Sequence, residues 1–143
     1  MFYLSALLVF LLDRALKSVA FARLAPAGSL PVIKGFFNLT YVRNTGVAFG
    51  LFPGQRLFLI LIGIIVCFLV VYYHEKSGNK NLLLNVYLGL ILGGSLGNLF
   101  DRVVSGYVTD YMDFRVFPVF NLADMCINLG VILIILNFIM EKK

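Results

Sequence analysis

The sequence predicts an all-α membrane protein built on four transmembrane helices. Of its 143 residues, 61% are hydrophobic and only 13% are charged, where soluble domains carry about a quarter charged residues. The mean hydropathy is +0.96. A bilayer core about 30 Å thick requires about 20 consecutive apolar residues of helix, and four stretches qualify: 2–22, 57–73, 82–100 and, counting a polar start, 121–140. The length allows a single domain, so residues 1–143 are read as one membrane-embedded unit.

The first stretch could pass for a cleaved leader, because Ala25-Pro26-Ala27 has the small residues of a cleavage site. No positive segment precedes it and three more spans follow, so it reads as an uncleaved helix. The segment 23–56 is long enough to fold. Within it Gly35–Phe49 reads as strand, with Phe37, Leu39 and Tyr41 on one face and Pro31, Gly35 and Pro53-Gly54 as punctuation. The second and third spans are joined by a short polar turn, His74–Asn81. The third and fourth are joined by 101–120, which holds Asp101, Asp110, Asp113, Arg102 and Arg115. Both substantial connections therefore lie on one side of the membrane, opposite the turn and both termini.

Charge argues the other way about orientation. With the termini inside, only four of the twelve basic residues (Lys76, Lys80, Lys142 and Lys143) fall on the inner side, and the positive-inside rule favours the flipped arrangement. The net charge of +5 suits contact with anionic headgroups but does not discriminate between functions. Cys67 and Cys126 lie in the second and fourth spans at different depths. They read as small apolar residues without a function.

Ionisable side chains at membrane depth are expensive, so each suggests a function. The first span carries Asp13, Arg14 and Lys17, with Asp13 and Lys17 four apart on one helix face. Either they neutralise each other near the interface with the lysine reaching outward, or they help to shape a site. The third span ends with Asn98, Asp101 and Arg102 on one face, either a helix-end network or part of a site. The fourth begins with Asn121 and Asp124, and Asn128 extends that face one turn deeper. Asp124 has no basic residue within a turn, so it should rise in pKa or share a proton with a second carboxylate. Two carboxylates too close to ionise together give one acid and one base, which suits hydrolysis of a peptide bond. His74, the single histidine, is on the opposite side, so no serine or cysteine triad is available. The usual zinc ligand sets and phosphate loops are absent from the sequence as well.

Five blocks in order resemble the bacterial lipoprotein signal peptidases (signal peptidase II). They are Asp13 with Lys17, Asn44-Thr45-Gly46-Val47-Ala48-Phe49, Gly97-Asn98-Leu99-Phe100-Asp101-Arg102, Val108-Thr109-Asp110 and Phe120-Asn121-Leu122-Ala123-Asp124. The resemblance implies that Asp110 and Asp124 are the catalytic pair, at the outer ends of the third and fourth spans. It implies that Asn44, Gly46, Asn98, Arg102 and Asn121 bind substrate, and that Asp13, Lys17 and Asp101 support the site. A small extracytoplasmic β-cradle would lie between the first two spans, with a cover formed by Tyr111–Pro118. Candidates for an apolar wall beside the pair are Phe49, Leu99, Phe120 and Leu122.

The implied substrate is a prolipoprotein whose cysteine carries diacylglycerol, cut just before that cysteine. The implied enzyme is a monomer in the bacterial cytoplasmic (inner) membrane, among membrane lipids, with no metal, organic cofactor or nucleic acid. Its termini are cytoplasmic, its segments 23–56 and 101–120 extracytoplasmic, and its site on the outer face. Only fourteen positions separate Asp110 from Asp124, which leaves the cover compact for the family. The rival reading is a small proton- or ion-coupled transporter using the same carboxylates. Such proteins usually show internal repeats or broken midplane helices, which the sequence lacks.

Overall fold

The computed structural model describes residues 1–46, 51–78 and 81–141. In chain order it contains α1 (Phe2–Ala27), β1 (Ser29–Ile33), β2 (Phe37–Asn44), α2 (Arg56–Ser77), α3 (Leu82–Val104), β3 (Val108–Asp113) and α4 (Leu122–Glu141). The helices run past the apolar stretches, and some of their ends are capped. Asn81 accepts hydrogen bonds from the Leu83 and Leu84 amides at the start of α3, and α2 stops at Gly78 with a φ of 54°. These are the usual devices for the free amides and carbonyls of helix ends. At the end of α3, Arg56 donates from Nε to the Arg102 carbonyl at 2.9 Å and from Nη2 to the Val103 carbonyl at 2.8 Å.

Three of these helices are long and apolar enough to cross a membrane: Arg56–Ser77, Leu82–Val104 and Leu122–Met140. α2 is apolar all round and only Leu59 is buried by the rest of the chain, as befits a helix solvated by lipid. α1 is long enough, at 26 residues, but carries Asp13, Arg14 and Lys17 in its middle.

α3 is the central helix, in contact with α1, α2 and α4. Small residues bring the axes together. A Cβ on Gly89, Gly93 or Gly97 would run into Ser5, Ala6 or Asp13 of α1, and one on Gly94 would lie 2.5 Å from the Ala123 carbonyl of α4. Glycine at four-residue spacing is how helices approach closely without the hydrophobic effect to drive them. Here it also presses the polar middle of α1 against the polar end of α3.

The sheet is antiparallel in the order β1-β2-β3. The expected strand Gly35–Phe49 is β2 alone, and residues 47–49 lie outside those described. β1 forms a hairpin with it, pairing Ser29 with Thr40 and Leu30 with Leu39. The cradle is not confined to the connection between the first two spans, because β3, from the 101–120 connection, pairs Asn44 with Val108 and Val42 with Asp110. β3 is buried on both faces, so it lacks the alternation that marks a half-buried strand. Leu39 and Tyr41 of β2 pack with Ala20, Leu24 and Tyr111, which seats the sheet on the end of α1. Phe37 departs from that group and meets the Phe114 ring at 4.7 Å.

Candidate active site

Two elements that meet only in the tertiary fold supply the two carboxylates. Asp110 comes from the middle of β3 and Asp124 from the first turn of α4; Asp110 thus sits on a strand, not on a helix end. The α4 start is a reciprocal cap. The Asp124 amide donates to Asn121 Oδ1 at 3.0 Å, and the Asn121 amide donates to Asp124 Oδ2 at 3.3 Å. An amide and a carboxylate three apart at a helix start form such a box. It holds the Asn121 side chain so that Nδ2 donates to Asp110 Oδ1 at 2.6 Å, and Asn121 bridges the two aspartates.

Further amides hold the pair from either side. Asn98 Nδ2 donates to Asp124 Oδ1 at 2.7 Å. Asn44 Nδ2 donates to Asp110 Oδ2 at 2.8 Å, while its own oxygen accepts from the Gly46 amide at 2.9 Å. Arg102 Nη2 donates to the Gly46 carbonyl at 3.0 Å, tying that turn to α3. The residues expected to bind substrate, Asn44, Gly46, Asn98, Arg102 and Asn121, are therefore gathered around Asp110 and Asp124. Burial, and secondarily the negative charge of Asp124, push the Asp110 carboxyl up to about 7, against the hydrogen bonds from Asn44 and Asn121.

Behind the pair lies a buried ionic cluster. Lys17 Nζ is 2.8 Å from Asp13 Oδ2 and 3.1 Å from Asp101 Oδ2, and it donates to Asn98 Oδ1 at 2.9 Å. Lys17 and Asp13 are 1% and 0% exposed, which rules out a lysine reaching outward to the interface. Asp13 Oδ1 accepts from the Ala123 amide at 3.1 Å, so α1 reaches the α4 start as well. Asp101 points to α1, pairing with Arg14 and Lys17 and accepting from the Thr109 amide at 3.2 Å. The shared face expected for Asp101 and Arg102 does not form a pair, since Arg102 turns to Gly46.

A cavity of about 760 Å³ opens onto the two carboxylates, lined by Asn44, Asn98, Arg102, Asp110 and Asp124 and by apolar residues of α4. Phe120 and Leu122 belong to its wall. Leu99 does not; it packs 3.2 Å from the Cβ position of Gly63 on α2. Phe49 lies outside the described residues. Cys126, read as inert, lines the cavity too, and both cysteines are free. Asp113 is apart from the pair, bonded to Thr40 and Arg115, and the Arg115 amide foremost holds its carboxyl below the usual range.

Sequence reasoning missed three contributors. Tyr111, assigned to a cover, is a buried residue of β3 whose hydroxyl accepts from the Leu122 amide at 3.3 Å; burial drives its phenol up to about 12. Arg14 pairs with Asp101 and lies 4.7 Å from the Phe100 ring centre. Arg56 holds the end of α3. No signal marks Tyr111 or Arg56 locally, whereas Arg14 adjoined a flagged acid.

Known proteins share this layout. A family profile described as signal peptidase (SPase) II matches residues 5–140. A lipoprotein signal peptidase of Halothermothrix orenii is 44% identical, covering 100% of this chain and 98% of its own length. One from Caldanaerobacter subterraneus subsp. tengcongensis is 48% identical, covering 94% and 92%. Two solved structures of bacterial membrane enzymes, obtained by the in meso method, superpose with TM-scores of 0.88 and 0.84 at 36% and 37% identity. They cover 98% and 94% of this chain and 88% and 90% of theirs. With its length and its fold both matched, the chain belongs to the signal peptidase II family.

Proposed function

We propose that this protein is an aspartic endopeptidase that removes the signal peptide from prolipoproteins whose cysteine carries diacylglycerol. The observation that carries the proposal is the pair Asp110 and Asp124, delivered by separate elements and bridged by Asn121 within one cavity. One carboxylate takes a proton from a water while the other, protonated, polarises the scissile carbonyl. Charge balance supports one shared proton. Asp13, Asp101, Asp110 and Asp124 carry four negative charges against three positive ones on Arg14, Lys17 and Arg102, so a single proton on the pair neutralises the cluster. The apparent pKa values of such a pair belong to both members.

The transporter alternative has no support, since the family is one of peptidases. In the membrane, α1 serves as a fourth span. Its charged side chains turn inward, while Leu7, Leu8, Leu11 and Leu12 remain 52–56% exposed and available to lipid. α1 and α3 end, and α4 begins, beside the sheet, and α2 begins against the end of α3. At the opposite end the Phe2 ring stacks 4.0 Å from the His74 ring, so the N-terminus and the end of α2 lie together. That end is cytoplasmic in the proposed arrangement, and Asp110 and Asp124 face the outer side. Two acyl chains, each buried methylene contributing about 0.8 kcal/mol, keep the substrate in the bilayer beside them.

The test is cleavage, by the purified protein, of a diacylglyceryl-cysteine peptide and of the same peptide with unmodified cysteine. The lipidated peptide should be cut with the far higher maximal rate, because binding energy remote from the scissile bond is used to orient it. Equal maximal rates would make the protein a general membrane aspartic protease and overturn the substrate.

A further inference from the structure

Three asparagines line the cavity: Asn44, Asn98 and Asn128. The first two are engaged with Asp110 and Asp124. The Asn128 amide is different. It is exposed, on a helix apolar enough to span the membrane, and it has no hydrogen-bond partner among the described residues. An amide that finds no partner in an apolar medium is unfavourable, so this position favours a ligand that brings an acceptor. Asn128 follows Asp124 by one turn on the same helix face, about 6 Å farther along the axis at 1.5 Å per residue. Around it the wall is apolar, formed by Met125, Leu129 and Ile132.

The proposed substrate presents an acceptor at that distance. From the scissile nitrogen the covalent path runs through the cysteine Cα, Cβ and sulfur to the glyceryl carbons and the first ester oxygen. Six bonds reach that ester oxygen at about 7 Å when extended, at about 3.4 Å for each three bonds of an extended chain. The carbonyl oxygen two bonds beyond lies within about 9 Å, so a bent path brings it to the depth of Asn128. With the peptide bond at Asp110 and Asp124, the glyceryl ester carbonyls fall level with Asn128, and the acyl chains continue along Leu129 and Ile132. A carbonyl has lone pairs and no proton, so it fits the Nδ2 donor.

We propose that Asn128 is a specificity-determining residue that donates a hydrogen bond to an ester carbonyl of the substrate's diacylglyceryl group. The inference rests on the reading of the pair as a lipoprotein signal peptidase site, and it deepens that reading by naming which atoms of the lipid are recognised.

The test uses the full-length protein in bicelles and three peptides of one sequence: diacyl ester, dialkyl ether and unmodified cysteine. The ether lacks only the carbonyl acceptors. The native protein should prefer ester over ether by about three- to tenfold in kcat/KM, the range expected for one net hydrogen bond. In Asn128→Ala that preference should fall to near one, and Asn128→Thr, which keeps a donor, should retain part of it. The comparison of ester with ether on the unaltered protein stands even if a variant folds poorly. Equal cutting of ester and ether by the native protein, both well above the unmodified peptide, would overturn this inference alone. A preference that survives in Asn128→Ala would assign ester recognition to another group and overturn it too. If Asn128→Ala slowed ester and ether equally, the amide would be reading the signal peptide's backbone instead. Rapid cutting of the unmodified peptide would instead overturn the underlying substrate assignment.

Discussion

The Asn98 side chain donates to Asp124 at 2.7 Å, and its orientation is dictated from behind by Lys17, which donates to Asn98 Oδ1 at 2.9 Å. A lysine ammonium only donates, so the amide oxygen must face α1 and the amide nitrogen must face Asp124. The buried cation therefore sets which group one member of the pair receives.

Removing that cation exposes its second duty. Lys17→Met leaves Asp13 and Asp101 short of a partner in the interior, and loss of one partner from a buried pair destabilises by about 3–5 kcal/mol. Thermal unfolding in detergent should show a large drop in Tm. Asp101→Asn should also lower Tm, through Arg14 and Lys17, to which Asp101 is bonded, and not through Arg102. A Tm unchanged in both variants would mean that the cluster is not what joins α1 to α3.

The pair itself should behave in the opposite way. Asp110→Asn and Asp124→Asn remove either the base or the acid and should lower cleavage by at least about 10²- to 10⁴-fold, the range for positioned proton transfer. Both should still insert and fold, since the asparagine oxygen keeps one of the two bonds that each carboxylate accepts and a buried negative charge is removed. Asp110→Asn should hold or raise Tm above neutral pH, where the buried negative charge is lost. Substantial turnover by either variant would remove these residues from the chemistry.

Proton linkage makes a related prediction. The Asp110 carboxyl is raised to about 7, whereas an unfolded aspartate titrates near 3.9. Between those values the folded protein binds more protons than the unfolded chain, so this group's contribution to stability is greatest below pH ~4 and falls as pH rises towards 7. Cleavage should show a bell-shaped pH profile with its alkaline limb near 7, where the shared proton is lost. A series of Tm against pH should be flatter for Asp110→Asn over that window. An equal slope in both proteins would assign the linkage to other groups.

Orientation is open to labelling. In a background lacking Cys67 and Cys126, a cysteine at Gly78 should stay unlabelled by an impermeant thiol reagent in intact cells. A cysteine at Val116, which is 92% exposed, should react. The reverse pattern would put Asp110 and Asp124 on the cytoplasmic side and favour the topology suggested by the basic residues.

The sequence by itself determined the apolar helices, the polar residues at their ends and the order of the blocks, because hydropathy, helix periodicity and short motifs are local properties. Asn121 and Asp124, three apart, already specify a helix start. What only the tertiary structure decided was the set of partners. Asp101 lies next to Arg102 in the chain yet bonds to Arg14 and Lys17, because the glycines of α3 let α1 approach on that side. β3 was hidden because both its faces are covered, which erases the alternation that exposes a strand to inspection. Asp110 meets Asp124 because the pairing of β3 with β2 places one and the cap of α4 places the other. Contacts of that kind depend on how separate elements pack, and no local pattern in the chain encodes them.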